Sequence, residues 1–267
     1  MRPTITALTR VAAILFATGI VAPTPAFSQE QTDGTFIGDV PYVATPQDVV
    51  DSMLDLAKVG PGDYVIDLGS GDGRLVVTAA KRGAEGYGVD LDPKRIAESI
   101  ENARKAGVSD RAQFFQRDLF ETDFVRATVL TMYLLPSVNL RLRPTILNEM
   151  KPGTRIVSHD FDMGDWKPDQ FKDLGTDQVY FWLVPAKVEG SWTAKVGPDS
   201  YKLDLTQKFQ EVSGTATMSG KTLKVDNGRL AGENFTFELV DGGNRRVMMG
   251  KVSGGNITGK DWSATKG

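Results

Sequence analysis

The sequence predicts an α/β fold, a doubly wound and mostly parallel sheet, followed by a small all-β domain. Three observations predict it. From about residue 42 to 185, short apolar runs alternate with segments of helical period. The longest of these runs, residues 127–135 (ATVLTMYLL), is nearly all apolar, as expected for a central strand covered on both faces. After Pro185 the helical period disappears, and short alternating runs broken by glycine-containing turns replace it.

The elements follow in order. Thr45 offers an N-cap, Pro46 suits the first helical position, and Asp48 sits near the positive end of the dipole. Val49, Val50, Met53, Leu54 and Ala57 recur at helical spacing until Gly60-Pro61-Gly62 ends the helix. Residues 64–68 (YVIDL) read as a buried strand, Gly69 to Gly73 as a turn and residues 74–81 as a helix. A second strand at 87–91 precedes a helix opened by Pro93, faced by Ile96, Ala97, Ile100 and Ala103, and closed by Gly107. Residues 112–116 and 127–135 supply the third and fourth strands. Residues 137–150 form a helix in which Pro144 predicts a kink or break. A fifth strand at 154–158 is followed by 166–174 and 178–184, with no helix-length segment between them. These two read as a closing antiparallel hairpin, weakened in its first member by Pro168.

Four regions result: a leader at 1–28, a polar segment at 29–40 that reads as disordered, the α/β domain at 41–186, and the β domain at 187–267. The last predicts a meander, sandwich or partly closed barrel. Its strands are expected at 191–196, 200–206, 211–218, 235–240 and 246–252, with hairpin turns at Ser213-Gly214, Ser219-Gly220 and Asn227-Gly228. Trp192, Phe209, Phe235, Phe237 and Trp262 are its expected core aromatics. It holds no recognisable catalytic cluster and reads as a stabilising or partner-binding appendage.

Arg2 and Arg10, the short apolar run at 11–22 and the small residues Ala26 and Ser28 form the pattern of a cleavable secretory signal with cleavage before Gln29. The expectation is export to the periplasm, with no membrane span left after cleavage. The chain has no cysteine, which excludes disulfides, thiolate metal sites and a catalytic thiol. Its single histidine, His159, excludes histidine-rich metal sites. A formal charge of −3 gives no electrostatic reason to expect nucleic-acid binding.

The strongest chemical signal is Val65-Ile66-Asp67-Leu68-Gly69-Ser70-Gly71-Asp72-Gly73. A buried strand ends in an acid and enters a turn with glycines at alternate positions, where a ligand can press against bare backbone. A dinucleotide site would space its glycines G-x-G-x-x-G to seat a pyrophosphate. Here the spacing is tighter and Asp67 stands beside it, which repels pyrophosphate and suits a cation. S-adenosyl-L-methionine (SAM) carries both a sulfonium and an ammonium. Asp90, at the end of the second strand, is placed to take the ribose hydroxyls. Asp118 can accept from an adenine amine, and the Leu119 amide can face a ring nitrogen.

Residues 42–185 resemble the class I (seven-strand) SAM-dependent methyltransferases, and within them the small protein-lysine methyltransferases of archaeal type and their mitochondrial relatives. The resembling stretches are Pro41 to Pro46 (PYVATP), Asp67 to Arg74, Thr131 to Pro136 (TMYLLP) with Asn139, and Ser158-His159-Asp160-Phe161. The resemblance implies SAM as cofactor, methyl transfer to a protein lysine ε-amine, and closure over the cofactor by Tyr42 and Thr45. The β domain lies outside it.

Methyl transfer needs an aligned, desolvated and neutral nucleophile more than it needs an acid. Tyr133 is placed to line that slot and hold an amine by its ring face, and Asn139 to orient it. His159 and Asp160 sit on the same rim; His159 reads either as a base or as a hydrogen-bonded structural residue. Two other functions stay open: an exported non-catalytic binding module on this scaffold, and a methyltransferase for a small molecule or lipid.

Overall fold

The structure, a computed structural model, describes residues 42–267. The expected signal and the polar segment after it lie outside the described residues. Four α-helices and seven strands make the first domain among the described residues: α1 Gln47–Leu56, β1 Tyr64–Leu68, α2 Arg74–Lys81, β2 Glu85–Asp90, α3 Pro93–Ala106, β3 Ala112–Gln116, β4 Val129–Met132, α4 Pro136–Glu149, β5 Arg155–His159, β6 Gln170–Asp173 and β7 Gln178–Leu183. The sheet runs β3-β2-β1-β4-β5-β7-β6. β1 to β5 are parallel, whereas β7 is antiparallel to β5 and β6 antiparallel to β7. The order reverses between β1 and β4, so the carboxyl ends of β1, β2 and β4 face the crevice where such sheets bind ligands.

Local chemistry explains the elements. Asp92 caps α3 by accepting from the Lys94 amide at 2.8 Å, Pro93 opens the helix and Gly107 ends it in the left-handed region. β4 is buried along its whole length, between a cluster around Leu130, Met132 and Ile146 and another around Val49, Met53 and Val129.

Three local expectations change. Thr45 is not the cap of α1; Pro46 holds that position, and the Thr45 hydroxyl turns inward to His159. Pro144 does not break α4, which runs unbroken from Pro136 to Glu149. The carbonyl it deprives belongs to Leu140, which is 42% exposed, so water can take that bond. The hairpin's first strand is confined to Gln170–Asp173, because residues 163–166 fold into a tight bridged turn ahead of it.

Of the expected meander, sandwich or partly closed barrel, the β domain is a meander that closes completely into an eight-stranded barrel. Its strands are β8 Gly190–Val196, β9 Asp199–Lys208, β10 Glu211–Met218, β11 Lys221–Ala231, β12 Asn234–Asp241, β13 Asn244–Ser253, β14 Asn256–Gly259 and β15 Trp262–Lys266. Each pairs antiparallel with the next, and β15 returns to β8. β11, β14 and β15 are not among the strands expected from alternation.

Of the three expected hairpin turns, only Ser219-Gly220 is one, with φ of 49° and 79°. Ser213-Gly214 and Asn227-Gly228 lie inside strands at register shifts. There the backbones crowd: a Cβ on Gly214 would overlap the Asp204 carbonyl oxygen, and one on Gly228 would overlap that of Val212. These glycines serve closure of the barrel. Its interior is filled by Trp192, Phe235, Phe237 and Trp262 with aliphatic neighbours. Phe209 is the exception among the expected core aromatics, because it leaves the barrel and packs on the first domain. Among the described residues no helix is long and apolar enough to cross a membrane.

Candidate active site

The loop after β1 is built for close approach. Gly69, Gly71 and Gly73 all have positive φ, at 77°, 52° and 78°. The Gly69 and Ser70 amides donate to the Val89 carbonyl at 2.9 and 2.8 Å, which pins the loop to β2. Asp90 completes it: Oδ2 accepts from the Gly71 amide and Oδ1 from the Asp92 amide, each at 2.9 Å. The motif spacing predicts a ribose partner at Asp90. In the fold this carboxylate also holds the glycine loop, with acceptor capacity remaining on both oxygens.

Asp67 is buried at the end of β1. Its carboxyl accepts a 2.7 Å hydrogen bond from Thr131 on β4. Burial, and then the nearby Asp90 and Asp72 carboxylates, push its pKa up to about 7 against the opposing effect of Thr131. A buried acid held so far from its ordinary range favours a cationic neighbour. The Ser70 hydroxyl, in the same loop, is buried without a hydrogen-bond partner among the described residues. Bare backbone, an orphaned hydroxyl and a cation-seeking carboxyl fit the amino-acid end of SAM.

The segment before α1 crosses this loop. The Tyr42 ring lies so close to Gly71 that a Cβ there would overlap it. Arg95 stacks on Tyr42, 3.9 Å from the ring centroid. Arg74 fixes the segment by donating to the Thr45 carbonyl at 2.7 Å. After β3, Asp118 accepts from the Phe120 amide at 2.8 Å and caps the single turn at Leu119–Glu121. Leu119 is partly buried against the core.

The opposite rim is formed by the ends of β4 and β5. The Tyr133 and His159 rings are 3.9 Å apart, and Phe161 stacks on Tyr133 at 6.0 Å. The Tyr133 hydroxyl donates to Asp160 Oδ2 at 3.2 Å, while Asp160 Oδ1 accepts from the Gln178 amide at 2.9 Å. Burial, and then the Asp160 carboxylate, raise the Tyr133 hydroxyl above its usual range, so it stays protonated. Asp160 has a φ of 58°, an unusual backbone state for a non-glycine residue that aims its carboxylate at Tyr133.

His159 is buried, and both its nitrogens are spent. Nε2 lies 2.9 Å from Asp177 Oδ1, and Nδ1 lies 3.2 Å from Thr45 Oγ1. A carboxylate only accepts, so Nε2 carries the proton and Nδ1 accepts from Thr45. Both ring nitrogens are thus engaged within the protein. Asn139 is also wholly buried, and its Nδ2 donates to the Phe161 and Asp162 carbonyls at 3.1 and 3.3 Å. Through Nδ2 it shapes the loop after β5, and its Oδ1 is buried without a hydrogen-bond partner among the described residues. His159, Asp160 and Asp177 also cluster closely enough to hold a metal ion, but their hydrogen bonds are satisfied without one.

Two residues of this geometry, Asp177 and Thr131, the latter within the TMYLLP stretch, are given no role by the sequence motifs. Asp177 carries no local signal, because it reaches His159 only through the β6–β7 hairpin. Thr131 does carry one, as a hydroxyl in the middle of a buried strand.

The family described as the ANTKMT methyltransferase domain matches residues 67–170. A protein-lysine N-methyltransferase of Saccharolobus islandicus is 46% identical over 138 residues, covering 51% of this chain and 86% of that protein. The chain belongs to the small class I protein-lysine methyltransferase family. An adenine nucleotide translocase lysine N-methyltransferase of Mus musculus is 33% identical over 146 residues, covering 54% of this chain and 63% of that protein. A crystal structure described as an RNA methyltransferase from Salinibacter ruber, in complex with S-adenosyl-L-homocysteine, is 52% identical. The match covers 55% of this chain and 96% of that one, with a TM-score of 0.54. SAM is therefore the cofactor of this methyltransferase.

Proposed function

We propose that this methyltransferase transfers a methyl group to a protein lysine ε-amine. The observation that carries the reading is the Tyr133–Asp160 pair, an aromatic face beside a carboxylate at the ends of β4 and β5. SAM supplies a sulfonium methyl open to in-line attack. The chain's part is to seat the amine. The Tyr133 ring faces the lysine head group, and Asp160 accepts one of its N–H bonds. Asp177, whose carboxyl is held low by Thr176 and then by His159, keeps His159 fixed behind Tyr133. Tyr133, Phe161 and buried Leu134 exclude water around the nucleophile. Under this reading Asp67, Gly69, Gly71, Gly73 and Asp90 hold the cofactor, with Tyr42 and Thr45 covering it and Asp118 and Leu119 at the adenine.

Transfer to RNA is favoured by the description of the Salinibacter protein. The carboxylates of Asp160 and Asp177 on the rim repel a phosphate backbone, and this supports lysine. The test is incubation of the chain with tritiated SAM and, separately, poly-L-lysine and mixed RNA. Mass spectrometry should then find methyl-lysine in the polypeptide. Label confined to RNA would reject the lysine reading.

We also propose that the chain works after export, on the strength of the arginines, apolar run and small-residue pattern of residues 1–28. Amino-terminal sequencing of the protein from a periplasmic fraction should begin at Gln29; recovery there with Met1 intact would count against cleavage.

A further inference from the structure

We propose that the barrel's Lys208–Glu211 turn is a positioning element for the acceptor side of the methyltransferase site. This rests on the lysine reading above, and on a contact in which no cofactor residue takes part.

The loop from Asp160 to Asp169 carries the acceptor rim at one end. Asn139 holds its near end by the Phe161 and Asp162 carbonyls. The middle is held by Arg143, which donates to the Met163 carbonyl at 2.7 Å and pairs with Asp165 at 2.6 Å. The far end is held from the other domain. Phe209, at the tip of the β9–β10 hairpin, stacks on Trp166 with ring centroids 6.0 Å apart. Gln210, only 2% exposed, donates to the Lys167 carbonyl at 2.7 Å. Arg229 on β11 pairs with Asp169 at 2.6 Å.

Three features separate this from ordinary domain packing. Phe209 has a φ of 55°, a costly state for a phenylalanine, and the ring it presents is used outside the barrel it belongs to. Gln210 is a buried amide whose donor has its partner in the other domain, so its burial and its hydrogen bond both depend on the contact. Both contacts fall on Trp166 and Lys167, a few residues from Phe161, which stacks on Tyr133. The family match ends at residue 170, so this support comes from a part of the chain beyond it. A loop so braced presents Asp160 and Phe161 to the acceptor in one geometry, and misplacement of that kind costs transfer rather than cofactor affinity.

The test uses the full chain with Phe209→Gly, which suits the positive φ and removes the ring, and Gln210→Ala, which removes the donor. Hydrogen exchange, S-adenosylhomocysteine titration and methyl transfer to poly-L-lysine are measured together. Both variants should lose protection across 160–169. Their kcat/KM for poly-L-lysine should fall about tenfold while S-adenosylhomocysteine affinity stays within about twofold. Phe209→Tyr, which keeps the stack, should retain both protection and turnover. Unchanged protection at 160–169 in both variants would overturn the proposal, as would cofactor affinity falling in step with turnover. If the wild-type chain fails to label poly-L-lysine while the variants still lose protection at 160–169, the bracing stands and the lysine reading falls.

Discussion

The Thr131 hydroxyl donates a 2.7 Å hydrogen bond to the Asp67 carboxyl across the neighbouring strands β4 and β1, and both side chains are buried. That single donor does not offset the loss of water, so the carboxyl is pushed up to about 7. The folded chain without ligand therefore keeps a proton that the unfolded chain gives up near pH 4. The resulting stability is fully present below the unfolded pKa and is lost as pH rises through about 7. The span is of order 4 kcal/mol. Asp67→Asn should lack this step, so the two thermal-midpoint profiles should converge at low pH, separate between about pH 4 and pH 7, and run parallel above that.

Cofactor binding should run the other way on the same group. A cation beside Asp67 favours the carboxylate, so SAM affinity should rise with pH through about 7 in the wild type and stay flat in Asp67→Asn. Titration calorimetry at several pH values decides it. Parallel pH slopes in the two proteins would remove Asp67 from the cofactor's charge balance.

Asp90 joins the glycine loop to β2 through the Gly71 and Asp92 amides. Asp90→Ala should weaken SAM and S-adenosylhomocysteine binding by about tenfold or more, or about 1.5–3 kcal/mol, through lost ribose bonds and a loosened loop. Asp90→Asn keeps one carbonyl acceptor and should lose less. Unchanged calorimetric affinity in Asp90→Ala would take the residue out of the site.

Tyr133 stands at the end of β4 with its hydroxyl on Asp160, on the side proposed for the acceptor. Tyr133→Ala should slow methyl transfer far more than it weakens SAM binding, and Tyr133→Phe, which keeps the ring, should fall between it and the wild type. Equal losses of turnover and cofactor affinity would argue for a packing role.

Gly71→Ala drives a methyl into the Tyr42 ring at a φ of 52°. The backbone strain alone should cost about 1–2 kcal/mol, with the clash added. Tyr42→Ala relieves the clash and not the strain, so a double-mutant cycle by urea unfolding should show the two changes coupled. Additive effects would mean that Tyr42 does not rest on the loop in solution.

Much of the fold, and of the cluster proposed to hold the cofactor, is legible along the chain. Asp67, the three loop glycines and Asp90 sit at ends of strands whose apolar runs mark them, and a parallel sheet brings the ends of adjacent strands together. The acceptor half is less so. His159 is paired with Thr45 and Asp177, residues 114 and 18 positions away, and no local pattern encodes such a meeting. Asn139 belongs to the expected neighbourhood, and its Nδ2 is bound to the Phe161 and Asp162 carbonyls of the loop after β5.

Residue order is enough to set the succession of strands and helices in the first domain, the acid-flanked glycine turn that suits a cationic cofactor, and the change to alternating short strands after Pro185. These depend on periodicity along the chain and on backbone states that only certain residues tolerate. Packing in three dimensions is what closes the β domain on itself and makes Gly214 and Gly228 crossing points instead of turns. It also leaves His159 with no free nitrogen and sends Phe209 out to Trp166. Each of these depends on which distant backbone or side chain comes within a few ångströms, and that distance is set by how whole elements stack.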